Sequence, residues 1–255
     1  MIDIHTHLLN NVDNGSVDII ETLTSLKLAE EAGFTDIILT PHYIEGYYEN
    51  NYASIKHKIE ELKQKLEDNS IKLNIHQGNE IYISKNIVDL IKSHTVSSLA
   101  GSKYVLVEYP QKVKLVDLEK ILENLKEVGY TPVLAHPERY VFIQKNLRTV
   151  NTLISHGILM QANYGSILGQ YGKEAQRTLI KMLKNNMVHV LATDTHRTGF
   201  VYGHFYKVEK EFLKYISRDK FEELTVTVPR NIIENKTIEV EQTKNNRKRL
   251  HFAFA

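Results

Sequence analysis

Short apolar runs alternate with amphipathic stretches along most of the chain. Seven runs rich in Ile, Leu and Val fit buried β-strands, and the stretches between them place apolar residues at helical spacing. The predicted strands are residues 1–6, 36–41, 72–79, 103–108, 131–136, 157–163 and 188–193. The predicted helices are residues 17–32, 53–68, 85–93, 116–128, 146–156, 172–186 and 205–216.

The stretch 116–128 shows the helical pattern well. Leu118, Ile121, Leu122 and Leu125 fall at positions i, i+3, i+4 and i+7, on one helix face. Repeated alternation of strand and helix predicts a single α/β domain with a parallel sheet. The pattern leaves both a closed barrel and an open doubly wound sheet possible. No Gly-rich turn follows the first strand, which disfavours a nucleotide-binding sheet.

Composition narrows the class of protein. The chain has 255 residues with no cysteine, which excludes thiol catalysis, disulfides and Cys-based metal sites. Its net charge of +1 gives no electrostatic case for nucleic-acid binding. No apolar run approaches the length of a membrane span, and the first residues, MIDIHTH, do not resemble a secretory signal. We therefore expect a soluble cytoplasmic protein.

Metal-ligand residues follow six of the seven predicted strands. Twelve histidines are present, and several stand at these positions. The strand-end candidates are His5, His7, His42, Glu80, Glu108, His136, Asp194 and His196. A lone histidine after a strand is most often a hydrogen-bonded surface residue, but eight candidates at matching positions are hard to explain by chance. Parallel α/β folds assemble their sites at the carboxyl ends of the strands.

The spacing and number of these candidates indicate a polynuclear metal site. His5 and His7 are two residues apart on an extended segment, as are Asp194 and His196, so each pair faces one side. One divalent ion takes four to six ligands, so eight candidates predict two or three ions. Mixed imidazole and carboxylate ligands suit Mn(II), Fe(II) or Zn(II).

The motifs around these residues resemble a known family. The segments M-I-D-I-H-T-H, T-P-H, G-N-E-I, V-E-Y-P, A-H-P-E-R-Y and A-T-D-T-H, in this order, resemble the PHP (polymerase and histidinol phosphatase) family. They are most similar to its bacterial capsular-polysaccharide-type tyrosine-protein phosphatases. The resemblance implies a distorted (β/α)7 barrel over residues 1–243, with a trinuclear, usually manganese-dependent centre. It also implies a phosphotyrosine protein as partner, namely a membrane-associated bacterial tyrosine kinase that regulates capsule or exopolysaccharide synthesis.

The resemblance also implies roles for individual residues. His5, His7, Glu80 and Asp194 would hold one ion. Glu80 would bridge to a second ion held by Glu108 and His136, and His42 and His196 would hold the third. Arg139 would bind the substrate phosphate.

Two positions depart from the family pattern. The family usually has aspartate as a third-ion ligand where this chain has Asn14, whose neutral carbonyl oxygen would be a weak metal contact. The family also usually has an arginine where this chain has Val201, and Arg197 is the candidate to replace it. We therefore expect the third ion to bind more weakly than the first two, since one negative charge is missing.

The expected function is hydrolysis of phosphotyrosine by a metal-activated water. Without cysteine, the covalent route of the common tyrosine phosphatases is excluded. Tyr43 and other tyrosines after His42 are candidates for the substrate cleft. The alternatives are a small-molecule phosphomonoesterase of the histidinol-phosphate type, a metal-dependent exonuclease, which the near-neutral charge disfavours, and a non-catalytic relic. The basic and then apolar tail, residues 244–255, predicts a frayed end or weak contact with an anionic membrane.

Overall fold

The structure is a computed structural model that describes residues 1–109, 115–197 and 200–239. Its strands are β1 Ile2–Thr6, β2 Asp36–Leu39, β3 His42–Ile44, β4 Tyr48–Glu49, β5 Asn74–Gln77, β6 Glu80–Tyr82, β7 Tyr104–Glu108, β8 Thr131–Ala135, β9 Leu159–Asn163 and β10 Val190–Ala192. Its α-helices are α1 Ile19–Glu31, α2 Tyr52–Asp68, α3 Ile87–Lys92, α4 Leu115–Glu127, α5 Val141–Lys145, α6 Arg148–Ser155, α7 Lys173–Lys184, α8 Phe200–Gly203, α9 Phe205–Phe212, α10 Arg218–Glu222 and α11 Val228–Ile233. The predicted tail, residues 244–255, lies outside the described residues.

Every predicted strand and helix overlaps an observed element of the same type. Leu118, Leu122 and Leu125 are fully buried, which confirms the predicted face of α4. The sequence patterns missed β3, β4 and β6, and also helices α5, α8, α10 and α11. These elements have two to six residues, too few to show a hydrophobic period.

The strands form a ring with seven positions. In one sheet β1 pairs with β2 and β2 with β5, and in the other the order is β10-β9-β8-β7-β6-β3-β4. All these pairs are parallel except β3 with β4. The chain runs from β2 into β3 and from β5 into β6 within three residues, so each of these two pairs occupies one position in the ring. These two positions join the sheets.

The two ends of the ring meet beside β1. Asp194 N donates to His5 O at 2.9 Å, and His7 N donates to Thr195 O at 2.8 Å. The fold is therefore the distorted (β/α)7 barrel that the resemblance implied, and the open doubly wound sheet is excluded.

The interior of the barrel holds an apolar cluster. Its members come from the strands, with Leu99 and the last helix, α11, packed against them. They are Ile2, Ile4, Ile38, Leu99, Tyr104, Leu106, Val133, Ala135, Leu159, Val190, Ala192, Val228 and Ile232. A larger cluster fills the space between the barrel and its surrounding helices. Across the described ranges, no helix combines the length and apolar character needed to span a bilayer.

Candidate metal centre

Side chains at the carboxyl ends of the strands converge on Glu80. This residue opens β6 and is 1% exposed. Its Oε2 atom lies 3.2 Å from the Nε2 atoms of both His5 and His7, and 3.1 Å from Nε2 of His42. Its other oxygen, Oε1, lies 3.1 Å from Nε2 of His136. Four imidazoles from three parts of the chain thus surround a single carboxylate.

Seven of the eight predicted ligands fall into three overlapping groups. Within each group, the nitrogen or oxygen atoms offered to a metal lie within 4.8 Å of one another. The groups are His5, His7, Glu80 and Asp194; His42, Glu80 and Glu108; and His7, His42 and His196. The eighth, His136, lies 3.8 Å from Oε1 of Glu108 through its Nε2 atom. The structure therefore brings all eight candidates together, while their roles as ligands stay predictions.

Hydrogen bonds hold two of the imidazoles in a metal-binding orientation. His5 Nδ1 donates to Gln161 Oε1 at 2.8 Å, and His7 Nδ1 donates to Asp13 Oδ2 at 2.8 Å. When each ring is neutral, as it is when it binds a cation, the proton stays on Nδ1 and the Nε2 atom carries a lone pair. These two Nε2 atoms face each other at 3.1 Å, so both lone pairs point into the same space. Imidazoles that ligate metals are commonly oriented by such a bond from the opposite ring nitrogen.

A chain of buried amides connects this region to Arg139. Gln161 Nε2 donates to Asn163 Oδ1 at 2.8 Å, and Asn163 Nδ2 donates to Asp194 Oδ2 at 2.9 Å. Arg139 Nη1 donates to the same oxygen at 2.7 Å. No role was predicted for Gln161. A detectable signal was its polar side chain inside an otherwise apolar strand, at even spacing from Asn163.

Two of the candidate ligands have left-handed backbone conformations. The φ angle is 36° at His136 and 54° at Asp194. Non-glycine residues rarely adopt this region, and such strain is concentrated at functional sites. Both residues stand directly after or near the end of a strand, where the turn redirects the side chain toward the cluster.

The charges in the cluster require compensation. Burial alone would lower the pKa of His5, but the carboxylates of Glu80 and Asp194 outweigh it and raise the pKa to about 9. Burial, together with the neighbouring Glu80, raises the pKa of Glu108 to about 8. Three carboxylates so close together therefore need positive charge, which either imidazolium protons or divalent cations supply.

These residues fit a metal centre. Asp194 Oδ1 is buried and has no hydrogen-bond partner, although it lies 3.4 Å from Nε2 of His5. An unpaired buried carboxylate oxygen is costly unless a cation contacts it. The donor set of imidazole nitrogens and carboxylate oxygens is the one that Mn(II), Fe(II) and Zn(II) accept.

Arg139 borders the cluster and is held from two sides. Its guanidinium pairs with Asp194, and its Cζ atom lies 4.5 Å from the ring centre of Tyr171. Stacking on an aromatic ring suits the planar guanidinium and limits its motion. The Arg139 side chain is 30% exposed, so an anion can reach it from solvent.

The remaining predicted residues have mixed placements. Arg197 lines a cavity of about 320 Å³ together with Asp194 and His196. Asn14 is exposed. Tyr43 is 6% exposed and packs into the cluster outside the barrel, which disfavours a direct contact with substrate.

Val201, at the position of the family arginine, is 3% exposed and lies on the wall of this 320 Å³ cavity. Of the two residues, only Arg197 brings a positive charge to this cavity. Its contact with substrate stays a prediction.

A barrel with such a cluster at the carboxyl ends of its strands is the architecture of metal-dependent hydrolases. The family profile described as capsular polysaccharide synthesis, CpsB/CapC, matches residues 1–234. The chain belongs to this family.

Related proteins agree with this assignment. The chain is 36% identical over 196 residues to the putative tyrosine-protein phosphatase CapC of Staphylococcus aureus, covering 77% of each chain. It is 32% identical over 216 residues to the tyrosine-protein phosphatase YwqE of Bacillus subtilis, covering 83% of this chain and 85% of YwqE.

Solved structures support the fold. The structure is similar, with a TM-score of 0.88 and 28% identity, to one from a study of YwqE from Bacillus subtilis and CpsB from Streptococcus pneumoniae, described as unique metal-dependent tyrosine phosphatases. The match covers 95% of this chain and 98% of the other. A histidinol phosphate phosphatase from Lactococcus lactis has a TM-score of 0.54 at 13% identity, covering 83% of this chain and 94% of that one, and shares the fold alone.

Proposed function

We propose that this protein is a metal-dependent protein-tyrosine phosphatase. The observation that carries the proposal is the convergence of four imidazoles on the two oxygens of Glu80. Membership of the CpsB/CapC family and the tyrosine-phosphatase relatives give the substrate class. The absence of cysteine from the sequence excludes the thiolate mechanism.

The proposed centre holds two or three divalent ions, with Mn(II) preferred. His5, His7, Glu80 and Asp194 would hold one ion, Glu108 and His136 would complete a second site, and His42 and His196 a third. Bound cations would acidify a water molecule and neutralise phosphate oxygens. Arg139, which borders the cluster beside Asp194, would bind one phosphate oxygen, and its positive charge would offset the negative charge of the transferring phosphate. Arg197 is the candidate for a second contact.

The surface around the centre favours a protein substrate over a small metabolite. Large apolar side chains are exposed on segments that follow strands, at the same end of the barrel as the cluster. They are Val17, Ile20, Tyr47, Val141 and Phe200, each at least 48% exposed. Exposed apolar side chains at this end of the barrel suit contact with a protein better than with a small metabolite.

We propose a membrane-associated tyrosine kinase of capsule or exopolysaccharide assembly as the phosphotyrosine partner, encountered in the cytoplasm. The family description and the relatives' names support this choice. Nothing in the net charge of +1 favours nucleic acid.

Removal and return of metal tests the function. Chelation should abolish hydrolysis of a phosphotyrosine peptide, and Mn(II) should restore it better than Mg(II), because imidazole ligands disfavour Mg(II). Full activity after confirmed metal removal would contradict the metal mechanism. Faster turnover of histidinol phosphate than of the peptide would instead assign a small-molecule phosphatase, and bound metal without turnover of either would identify a non-catalytic relic.

A further inference from the structure

The loop after β1 places one carboxylate beneath two of the imidazoles. Asp13 has a fully buried side chain, although its neighbour Asn14 is exposed. Its Oδ2 atom accepts hydrogen bonds from His7 Nδ1 at 2.8 Å, from His42 Nδ1 at 3.0 Å and from His42 N at 2.9 Å. Its Oδ1 atom accepts from Gly15 N at 2.9 Å. All four donors belong to the candidate centre or its loop.

The loop is built to bring Asp13 this close. Ser16 N donates to His7 O at 3.1 Å, which folds the loop back onto the end of β1. A Cβ atom on Gly15 would lie only 1.9 Å from His7 O and 2.9 Å from Asp13 Oδ1, so only glycine fits there. Asn50 Nδ2 donates to both Val12 O and His42 O, which joins the loop to β3.

The two imidazoles that Asp13 contacts belong to different proposed ion sites. His7 is proposed to hold the first ion with His5, Glu80 and Asp194, and His42 the third ion with His196. The imidazoles of His7, His42 and His196 also lie close together in one group. Their ring centres are 4.2 Å apart. Because Asp13 accepts a hydrogen bond from each Nδ1–H group, both rings are oriented with Nε2 facing Glu80, where a cation could lie between them.

We propose that Asp13 is a positioning residue shared by two metal sites. It acts through His7 and His42 and touches no ion itself. This inference rests on the proposed metal centre. It assigns the positioning of the two imidazoles to Asp13 and not to Val12 or Asn14, the residues on either side of it.

The change Asp13→Asn tests this role with little change of shape. An amide has one acceptor oxygen and one donor nitrogen. In either orientation its NH2 group faces a donor, either the two His Nδ1 groups or Gly15 N, and the negative charge is lost. The matched control is Asp18→Asn, which removes a charge a few residues away. Asp18 accepts from Glu21 N as the N-cap of α1, and asparagine caps helices equally well.

Two measurements read out the role without enzyme activity. Calorimetric titration with Mn(II) should show one or two binding events weakened about 10- to 100-fold in Asp13→Asn, as for other residues that orient metal ligands. Proton–nitrogen NMR of the histidine rings in chelator should show strongly hydrogen-bonded Nδ1–H groups of His7 and His42 in the natural protein, and weakening or loss of these hydrogen bonds in Asp13→Asn. Asp18→Asn should match the natural protein in both measurements.

The outcomes distinguish failure of the proposed role of Asp13 from failure of the proposed metal centre. Unchanged Mn(II) affinity and unchanged ring signals in a folded Asp13→Asn protein would overturn the role of Asp13. If the natural protein binds no Mn(II) at all, the manganese centre fails, and the ring signals in chelator still decide whether Asp13 fixes the two imidazoles. A chelated variant with the natural melting temperature excludes general unfolding as the cause.

Discussion

The two ends of the barrel interior are built from the same strands but from opposite kinds of side chain. Along β7, Tyr104 and Leu106 belong to the apolar interior, and Glu108, two residues further, reaches the metal cluster. Along β9, Leu159 lies in the apolar interior, and Gln161 and Asn163 lie in the polar network. One end buries apolar area and the other buries charge.

This difference separates stability from function within one fold. Burial of apolar side chains is favourable by itself, whereas buried carboxylates and imidazoles are costly unless paired. The apolar end is expected to hold the barrel together, and the polar end to do chemistry at some cost in stability. Substitutions at the two ends should therefore give opposite results in assays of activity and of unfolding.

The substitution with the largest expected effect at the polar end is Glu80→Gln. The amide cannot balance the four surrounding imidazoles or bridge two cations, so the loss should be several kcal/mol of transition-state stabilisation. We expect activity on a phosphotyrosine peptide to fall on the order of 10³-fold, with lower metal content by elemental analysis. Natural activity and metal content in this variant would show that the cluster is structural.

The corresponding break at the apolar end is Leu106→Ala. Leu106 is fully buried in the barrel interior, so the change leaves a cavity. Unfolding by denaturant should show a loss of about 3 kcal/mol. Activity per folded molecule should stay within a factor of about three of the natural value. A large drop in activity at unchanged stability would show that the two ends are not separable.

A smaller break at the polar end is Arg139→Ala. Loss of the guanidinium should reduce turnover about 10²-fold through lost charge stabilisation, while metal content stays the same. Arg139→Lys should recover part of the activity, because it keeps the charge without the planar stacking on Tyr171. Turnover within threefold of the natural protein would make Arg139 an ordinary surface residue.

His189 gives a pH test of stability away from the cluster. It precedes β10 and accepts a hydrogen bond from Met160 N through Nδ1. Burial, with a smaller effect of the Lys220 charge, lowers its pKa to about 4. As the pH falls, the unfolded chain binds this proton before the folded protein does. The contribution of His189 to the free energy of unfolding is therefore fully present above about pH 6.5 and falls as the pH drops toward 4.

The change His189→Gln should remove roughly 2 kcal/mol of this acid sensitivity. Denaturant unfolding at several pH values measures it, with the exposed His57→Gln as control. Equal pH dependence in the natural protein and in His189→Gln would contradict the assignment.

The smallest expected effect is that of Asn14→Asp. An added carboxylate beside the third site should tighten it, seen as activity that saturates at lower Mn(II). Because Asn14 is exposed and Asp13 already supplies a buried charge nearby, we expect less than a tenfold change, about 1 kcal/mol. Three equally tight ions in the natural protein, unaltered by the change, would contradict a weak third site.

The sequence predicts the candidate ligands at the polar end better than it predicts the residues that orient them. His5, His7 and Asp194 could be found because strand ends place side chains at one edge, whatever the details of the sheet. The role of Asp13 could not be found, because it depends on a loop that folds back through Ser16 and on contact with His42 from another strand. The register of β1 against β2 also shifts between Asp3 and Thr6, so simple alternation does not describe this strand.

Closure of the ring beside β1 has a consequence for synthesis of the protein. Asp3 Oδ1 accepts a hydrogen bond from Thr193 N, 190 positions further along the chain. β1 pairs on one side with β2, which follows it closely in the chain, but its contacts on the other side must wait until Thr193 has been synthesised. Contacts so distant in sequence form slowly. Asp194 and the pair His5 and His7 therefore meet only when the barrel closes. Until Asp194 and His196 have been synthesised, the chain has only six of the eight candidate ligands.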